Sequence, residues 1–201
     1  MATVAILGTG RMGGAMARRL AASGFQVVLW NRTPDKAEQL HLGRVAATPA
    51  EAARDAEIVI SSLTNDAAVR DVYLGDNGAL RSAAGKLLIE ASTAGPQIAE
   101  ELGQDAQAQG AHFLEAPVIG SVPAVESGKL LILASGDQAD FEQARSVLEH
   151  LGEVRYVGTR GNAPRCGWGA VGEYVASVGD VGPVGFRNLV PSPIISSDAA
   201  R

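Results

Sequence analysis

The sequence predicts an α/β fold organised as a doubly wound, mostly parallel sheet, and three observations predict it. Short apolar runs of strand length alternate with longer stretches of helical periodicity from Thr3 to about Val157, the signature of strands joined by crossover helices. The first run, Val4 to Leu7, leads at once into Gly8, Gly10 and Gly13 in G-x-G-x-x-G spacing, followed by Met16, Ala17 and Leu20 at helical intervals. A second apolar run, Phe25 to Trp30, then ends at Asn31-Arg32-Thr33, about 20 residues on, where such a unit carries its ribose-reading residue.

The strand–turn–helix unit is the Rossmann arrangement, and each glycine has its own reason. Gly8 makes the turn, Gly10 lets backbone approach a pyrophosphate, and Gly13 lets helix and strand pack closely. The helix start offers unpaired N–H groups and the positive end of the helix dipole to phosphates. In a chain with 24 glycines the same spacing also reads as a plain structural turn, and the context of strand, helix and second strand decides for the cofactor. An NAD site places Asp or Glu at the end of the second strand to hold the ribose 2′-hydroxyl. This chain has Asn31 and Arg32 there, and an arginine can pair with a 2′-phosphate. The expected cofactor is therefore NADP(H), against the bland reading of Arg32 as a solvated arginine at a helix start.

The remaining elements follow in order. The first helix runs from Met12 to Ser23 and stops at Gly24, a C-cap residue. Thr33-Pro34 opens a second helix to about His41, Arg44 to Ala46 is a short strand, and Thr48-Pro49-Ala50-Glu51 reads as a cap with a carboxylate at the third helical position. Glu57 to Leu63 is a buried strand, and Ala67 to Leu74 a helix. After the turn at Asp76-Asn77-Gly78 come a short helix from Ala79, a strand Lys86 to Glu90 and a helix Gln97 to Gln109. Strands His112 to Glu115, Lys129 to Ala134 and Val154 to Val157, with a helix Gln138 to Leu151 before the last, extend the sheet. The last two strands need not be parallel to the rest.

Composition narrows the partners. With 201 residues and a formal net charge of −5, the chain has no basic footprint for nucleic acid or an anionic membrane surface. A small molecule is the expected partner. Cys166 is the single cysteine, so no internal disulfide framework exists, and a reducing cytoplasm is the expected location. No run approaches the ~20 apolar residues of a membrane span. His41, His112 and His150 are scattered and make no metal-ligand pattern.

Ligands of such sheets bind outside the carboxyl ends of the strands, which directs attention to Ser62-Leu63-Thr64, Ala91-Ser92-Thr93 and Ala116 to Ser121. Ser92 and Thr93 also read as a turn capping the helix that starts at Pro96, and Gly120-Ser121 as an ordinary loop. Together these residues can supply hydroxyl and backbone N–H donors to a small carboxylate beside the nicotinamide.

The ordered pieces AILGTGRMGGAMARRL, VVLWNRTPDK, EASTAGP, FLEAPVIGSVPAVESGKLLILASGD and LGEVRYVGTRGNA resemble the β-hydroxyacid dehydrogenases. That family includes 3-hydroxyisobutyrate dehydrogenase and the glyoxylate and succinic semialdehyde reductases, and the NRT-x-x-K and EAPV-x-GS segments look most like the NADPH-using reductase branch. The resemblance covers residues 3 to about 163. It implies that Gly8, Gly10, Arg11, Met12, Gly13, Asn31, Arg32, Thr33, Leu63 and Thr64 line the cofactor, with Thr93 near the nicotinamide ribose. Ser92 would sit at the site mouth, and Gly120 and Ser121 would contact the carboxylate of a small aldehyde or hydroxy acid. Ile119 stands where much of the family has serine, which bears on the substrate. The complete family also implies a homo-oligomer.

After Asn162 the sequence departs from the resemblance. Relatives continue into a long helix carrying the acid–base lysine and then into an all-helical second domain. Here Gly167 stands at the lysine position, Ala170-Val171 where an asparagine should follow, and no lysine occurs after Lys129. Arg165 is nearby, but a guanidinium does not release a proton at usable pH. The expectation is a cofactor domain at 1–163 and a divergent, irregular tail at 164–201, arising from a shifted reading frame near Pro164 or from a natural short form. It leaves two functional readings, a reductase by lineage and a non-catalytic NADP-binding module.

Overall fold

The computed structural model describes residues 2–163. The expectations placed on Pro164, Arg165, Cys166, Gly167 and the 164–201 tail lie outside the described residues.

Among the described residues nine strands form the sheet: β1 (Thr3–Leu7), β2 (Gln26–Trp30), β3 (Arg44–Val45), β4 (Ile58–Ser61), β5 (Leu87–Glu90), β6 (His112–Glu115), β7 (Val118–Ile119), β8 (Leu130–Gly136) and β9 (Gly152–Tyr156). Seven helices connect them: α1 (Arg11–Ala22), α2 (Pro34–Glu38), α3 (Pro49–Arg54), α4 (Asp66–Leu74), α5 (Pro96–Ala108), α6 (Val122–Glu126) and α7 (Gln138–Leu148), with a 3₁₀ turn at Ala79–Ser82. The strand order is β3-β2-β1-β4-β5-β6-β8-β7, and β9 pairs with β8. From β3 to β6 every pair is parallel. β8 runs antiparallel to β6 and β7, while β9 is parallel to β8. The expected doubly wound Rossmann sheet is therefore the observed one.

Both faces of this sheet are covered, which is why its strands read as continuous apolar runs. Along β1 the side chains alternate between two cores. Val4 and Ile6 pack in the core that contains Ala15, Met16 and Leu20 of α1 and Phe141, Val147 and Leu148 of α7. Ala5 and Leu7 pack in the other, with Ala52 of α3, Val69 and Tyr73 of α4, and Ile98 and Leu102 of α5. The reversal of strand order lies between β1 and β4, and there the crevice opens.

Two elements escape the sequence reading. The Val118 to Gly128 segment, to which the sequence reading assigns no strand or helix, contains β7 and α6, each too short for periodicity to reveal. Two helices are shorter than expected: α2 ends at Glu38 because the chain turns through His41 at φ 53, and α7 ends at Leu148. The cap at α3 is as read: Thr48 Oγ1 accepts from the Glu51 N–H at 3.1 Å, and Glu51 accepts from the Ala47 N–H. Substituting Thr48 with Ala leaves that amide without a partner and should lower stability by about 1 kcal/mol, measurable by urea denaturation at an unchanged m-value.

Candidate functional site

The glycine loop follows from its contacts. Gly8 turns at φ +95 and donates its N–H to Trp30 O at 2.8 Å, tying the end of β1 to the end of β2. A Cβ on Gly13 would lie 1.9 Å from the Gly8 carbonyl oxygen, so helix and loop touch backbone to backbone. Around Gly10 a Cβ would meet no atom within 4 Å. The protein itself gives no packing reason for glycine there, whereas a phosphate seated on the loop does.

The start of α1 is open in the same sense. Gly10 caps it without a side-chain hydrogen bond, and no acidic residue stands in its first turn. Asn31 braces the loop from the side: its Oδ1 accepts from the Thr9 N–H at 3.0 Å, and its Nδ2 donates to Thr33 O at 2.9 Å. Thr9 Oγ1 is buried with no hydrogen-bond partner among the described residues.

A cleft at the switch point collects seven of the eleven residues expected to bind the cofactor. It is lined by Gly8, Gly10, Asn31, Arg32, Thr33, Leu63 and Thr64, together with Trp30, Lys36, Ser62, Ala68, Asp71 and Val72. Of the second set, Ser62 is marked by its place after a strand and Lys36 closes the NRT-x-x-K motif, while Ala68, Asp71 and Val72 escape the motifs. Lys36 is legible, two residues into α2 beyond Arg32 in the NRTPDK stretch, while Ala68 and Val72 share a face of α4 at i, i+4 spacing and carry no chemical mark. Arg11 is exposed, Met12 packs against the α1 core and Gly13 is buried beneath the loop; none of the three lines this cleft. Thr93, Gly120 and Ser121 are exposed on the two loops farther along the sheet edge. Ile119 is buried against Leu133 and Ala163.

Ser92 sits deeper than expected, 8% exposed. Its Oγ accepts from the Leu63 N–H at 2.7 Å, and its own N–H donates to Glu90 Oε1 at 2.7 Å. Glu90 Oε2 accepts from the Ser61 hydroxyl at 2.6 Å, and Ser61 Oγ lies 2.7 Å from the Tyr73 hydroxyl. Burial pushes the Glu90 carboxyl above its ordinary value, against the pull of the hydrogen bonds from Ser61 and Ser92. Burial, and then the neighbouring Glu90, push the Tyr73 phenol well above its ordinary value. Sequence reading passes over Glu90 and Tyr73 because nothing local distinguishes them from other strand-end and helix residues.

Among the described residues no group of three or more His, Cys, Asp or Glu is placed to hold a metal ion, and no helix is long and apolar enough to cross a membrane. His112 Nδ1 pairs with Asp140 Oδ1 at 2.8 Å, bridging β6 and α7.

A parallel sheet with a glycine loop at its switch point, an uncapped helix behind the loop and cations at the end of β2 defines a dinucleotide-binding domain. Residues 3–161 match the family described as the NAD binding domain of 6-phosphogluconate dehydrogenase, and the chain belongs to that family. The mitochondrial 3-hydroxyisobutyrate dehydrogenase of Mus musculus is 36% identical over 162 residues, covering 79% of this chain and 48% of its own. A 3-hydroxyisobutyrate dehydrogenase of Pseudomonas aeruginosa is 34% identical over 205 residues, 98% of this chain and 68% of its own. Glyoxylate/succinic semialdehyde reductase 1 of Arabidopsis thaliana is 35% identical over 166 residues, 81% and 57% of the two chains. In the first of these matches the chain spans about half the length of its relative.

Solved structures agree on the fold. The Mycobacterium tuberculosis 3-hydroxyisobutyrate dehydrogenase with L-serine superposes with a TM-score of 0.80 at 29% identity, covering 89% of this chain and 61% of the other. An imine reductase of Myxococcus stipitatus in complex with NADP+ gives 0.82 at 26% identity, covering 88% and 62%. A variant of that reductase is in complex with NAD+.

Proposed function

We propose that this chain carries the NADP(H)-binding domain of an oxidoreductase of the 3-hydroxyisobutyrate dehydrogenase type, acting between a small semialdehyde or 2-oxo acid and the corresponding hydroxy acid. The observation that carries the cofactor choice is the pair of cations, Arg32 and Lys36, lining the cleft where β2 ends. The one carboxylate among the lining residues, Asp71, belongs to α4 and not to the ribose-reading position.

In this reading Arg32 and Lys36 hold a 2′-phosphate, the open α1 start and Gly10 hold the pyrophosphate, and Leu63 and Thr64 flank the path toward the nicotinamide. Arg11, Met12, Gly13, Asn31 and Thr33 shape and support that path. Ser92, Thr93, Gly120 and Ser121 face the substrate side and supply donors to its carboxylate. A bound nicotinamide cofactor supplies or accepts the hydride. The proton needs a separate acid–base group, and the lineage's lysine position corresponds to Gly167, in the segment from 164 to 201 read as a divergent tail.

Gly167 at the lineage's lysine position favours a second reading, a non-catalytic NADP-binding module. One experiment separates the two. Full-length protein is titrated with NADPH and NADH by nicotinamide fluorescence, then assayed with glyoxylate, succinic semialdehyde and 3-hydroxyisobutyrate. Preferential NADPH binding with turnover supports the oxidoreductase. Binding without turnover supports the module, and failure to bind either nucleotide overturns both.

A further inference from the structure

We infer that Glu90 is a positioning residue, a buried carboxylate that locks the loop after β4 to the loop after β5 and so sets where the cofactor path meets the substrate side. The inference rests on the NADP-binding reading above.

The register places Glu90 opposite Ser61 on the neighbouring strand, with both at the carboxyl ends where the two loops begin. Both carboxylate oxygens are engaged, Oε2 by the Ser61 hydroxyl and Oε1 by the Ser92 N–H. With its proton committed to Glu90, Ser61 Oγ can only accept from Tyr73. Ser92, held from below, receives the Leu63 N–H on its Oγ. The result is a directed chain from Glu90 through Ser92 to Leu63, a residue that lines the cleft. A second tether, from the Gly95 N–H to Asp66 Oδ1 at 3.0 Å, joins the end of the loop after β5 to the start of α4.

A buried network of paired donors and acceptors favours its own arrangement, because breaking it leaves a polar group unpaired in a medium of low dielectric. Glu90 is 2% exposed, and Ser61 and Tyr73 are fully buried. An apolar core would hold β4 and β5 together equally well. What the carboxylate adds is a fixed position for the Ser92 and Leu63 amides, which apolar packing does not specify.

The test compares Glu90→Leu, Glu90→Gln and Ser92→Ala in the full chain, with two probes, NADPH and 2′,5′-ADP. The second probe carries the 2′-phosphate for Arg32 and Lys36 but lacks the nicotinamide half that must pass Leu63. Glu90→Leu and Ser92→Ala should each weaken NADPH by about tenfold, the scale of one buried hydrogen bond, while 2′,5′-ADP binding stays within about twofold. Glu90→Gln keeps an acceptor for the Ser92 N–H and should restore NADPH binding. A merely structural Glu90 would change thermal stability and leave the ratio of the two affinities alone; that result overturns the inference.

Exchange of the Leu63 amide, followed without nucleotide, gives an independent readout. It should quicken in Glu90→Leu and Ser92→Ala and not in Glu90→Gln, and unchanged protection in Ser92→Ala overturns the coupling even if Glu90→Leu fails to fold. Failure of the unmodified protein to bind either probe overturns the NADP reading instead, with the exchange experiment still deciding the role of Glu90.

Discussion

Replacing Arg32 with Asp should turn the NADPH preference proposed above into a preference for NADH. A charge-assisted hydrogen bond is worth about 1.5–3 kcal/mol, so losing the guanidinium removes roughly ten- to a hundredfold in NADPH affinity. The new carboxylate adds repulsion against a 2′-phosphate and an acceptor for a ribose 2′-hydroxyl, which moves NADH the other way. Lys36 remains in the cleft and limits the NADPH loss to the contribution of one cation. Arg32 is exposed, so the exchange should leave the melting temperature nearly unchanged. The measurement is the ratio of the two dissociation constants by fluorescence titration. A ratio that does not move removes Arg32 as the reader and leaves Lys36 as the next residue to test.

The second large effect separates two glycines three residues apart. Gly13→Ala drives a methyl group into the Gly8 carbonyl, 1.9 Å from the ideal Cβ position. The obstacle is backbone and cannot rotate aside, so helix α1 and the loop must move apart. The expected cost is about 3 kcal/mol, at the upper end for overpacking, or a fall in melting temperature of roughly 6–12 °C for a chain of this size. Gly10→Ala places its methyl in open space at a residue whose φ is −67. It should keep its stability within about 0.5 kcal/mol and lose nucleotide binding, because the added carbon occupies the approach of the pyrophosphate. Thermal melts with and without NADPH distinguish the two: Gly13→Ala melts early in both, and Gly10→Ala melts normally but loses the ligand-induced shift. A Gly10→Ala protein that binds NADPH as before would show that the cofactor does not lie against that residue.

The strand-and-helix alternation was legible because it is local. Short apolar runs and period-3.6 patterns, the Gly8 turn, the Thr48 cap and the C-cap at Gly24 each depend on a few consecutive residues, and the structure places them within one to three positions of where they read. The cleft was half legible for the same reason. Gly8, Gly10, Asn31, Arg32 and Thr33 fall in two short motifs, and Leu63 and Thr64 follow a strand end. Ala68, Asp71 and Val72 join them only because α4 lies across the crevice, and no periodic or motif signal marks that. β7 and α6, two and five residues long, are held by pairing with β8 and packing against α1 rather than by their own propensity.

By itself, then, the sequence determined the class of sheet, the glycine loop at the end of its first strand and the cation that follows its second strand. These are properties of contiguous residues, whose steric and electrostatic preferences act before any long-range contact forms. Only the tertiary structure decided the order of strands, the antiparallel turn at β8 and the buried Tyr73–Ser61–Glu90–Ser92–Leu63 chain. Ser61 and Glu90 stand 29 residues apart, and their meeting depends on the register in which β4 and β5 pair. That register is chosen by the packing of two apolar faces at once, and a polar network can be read from it only after those faces have closed.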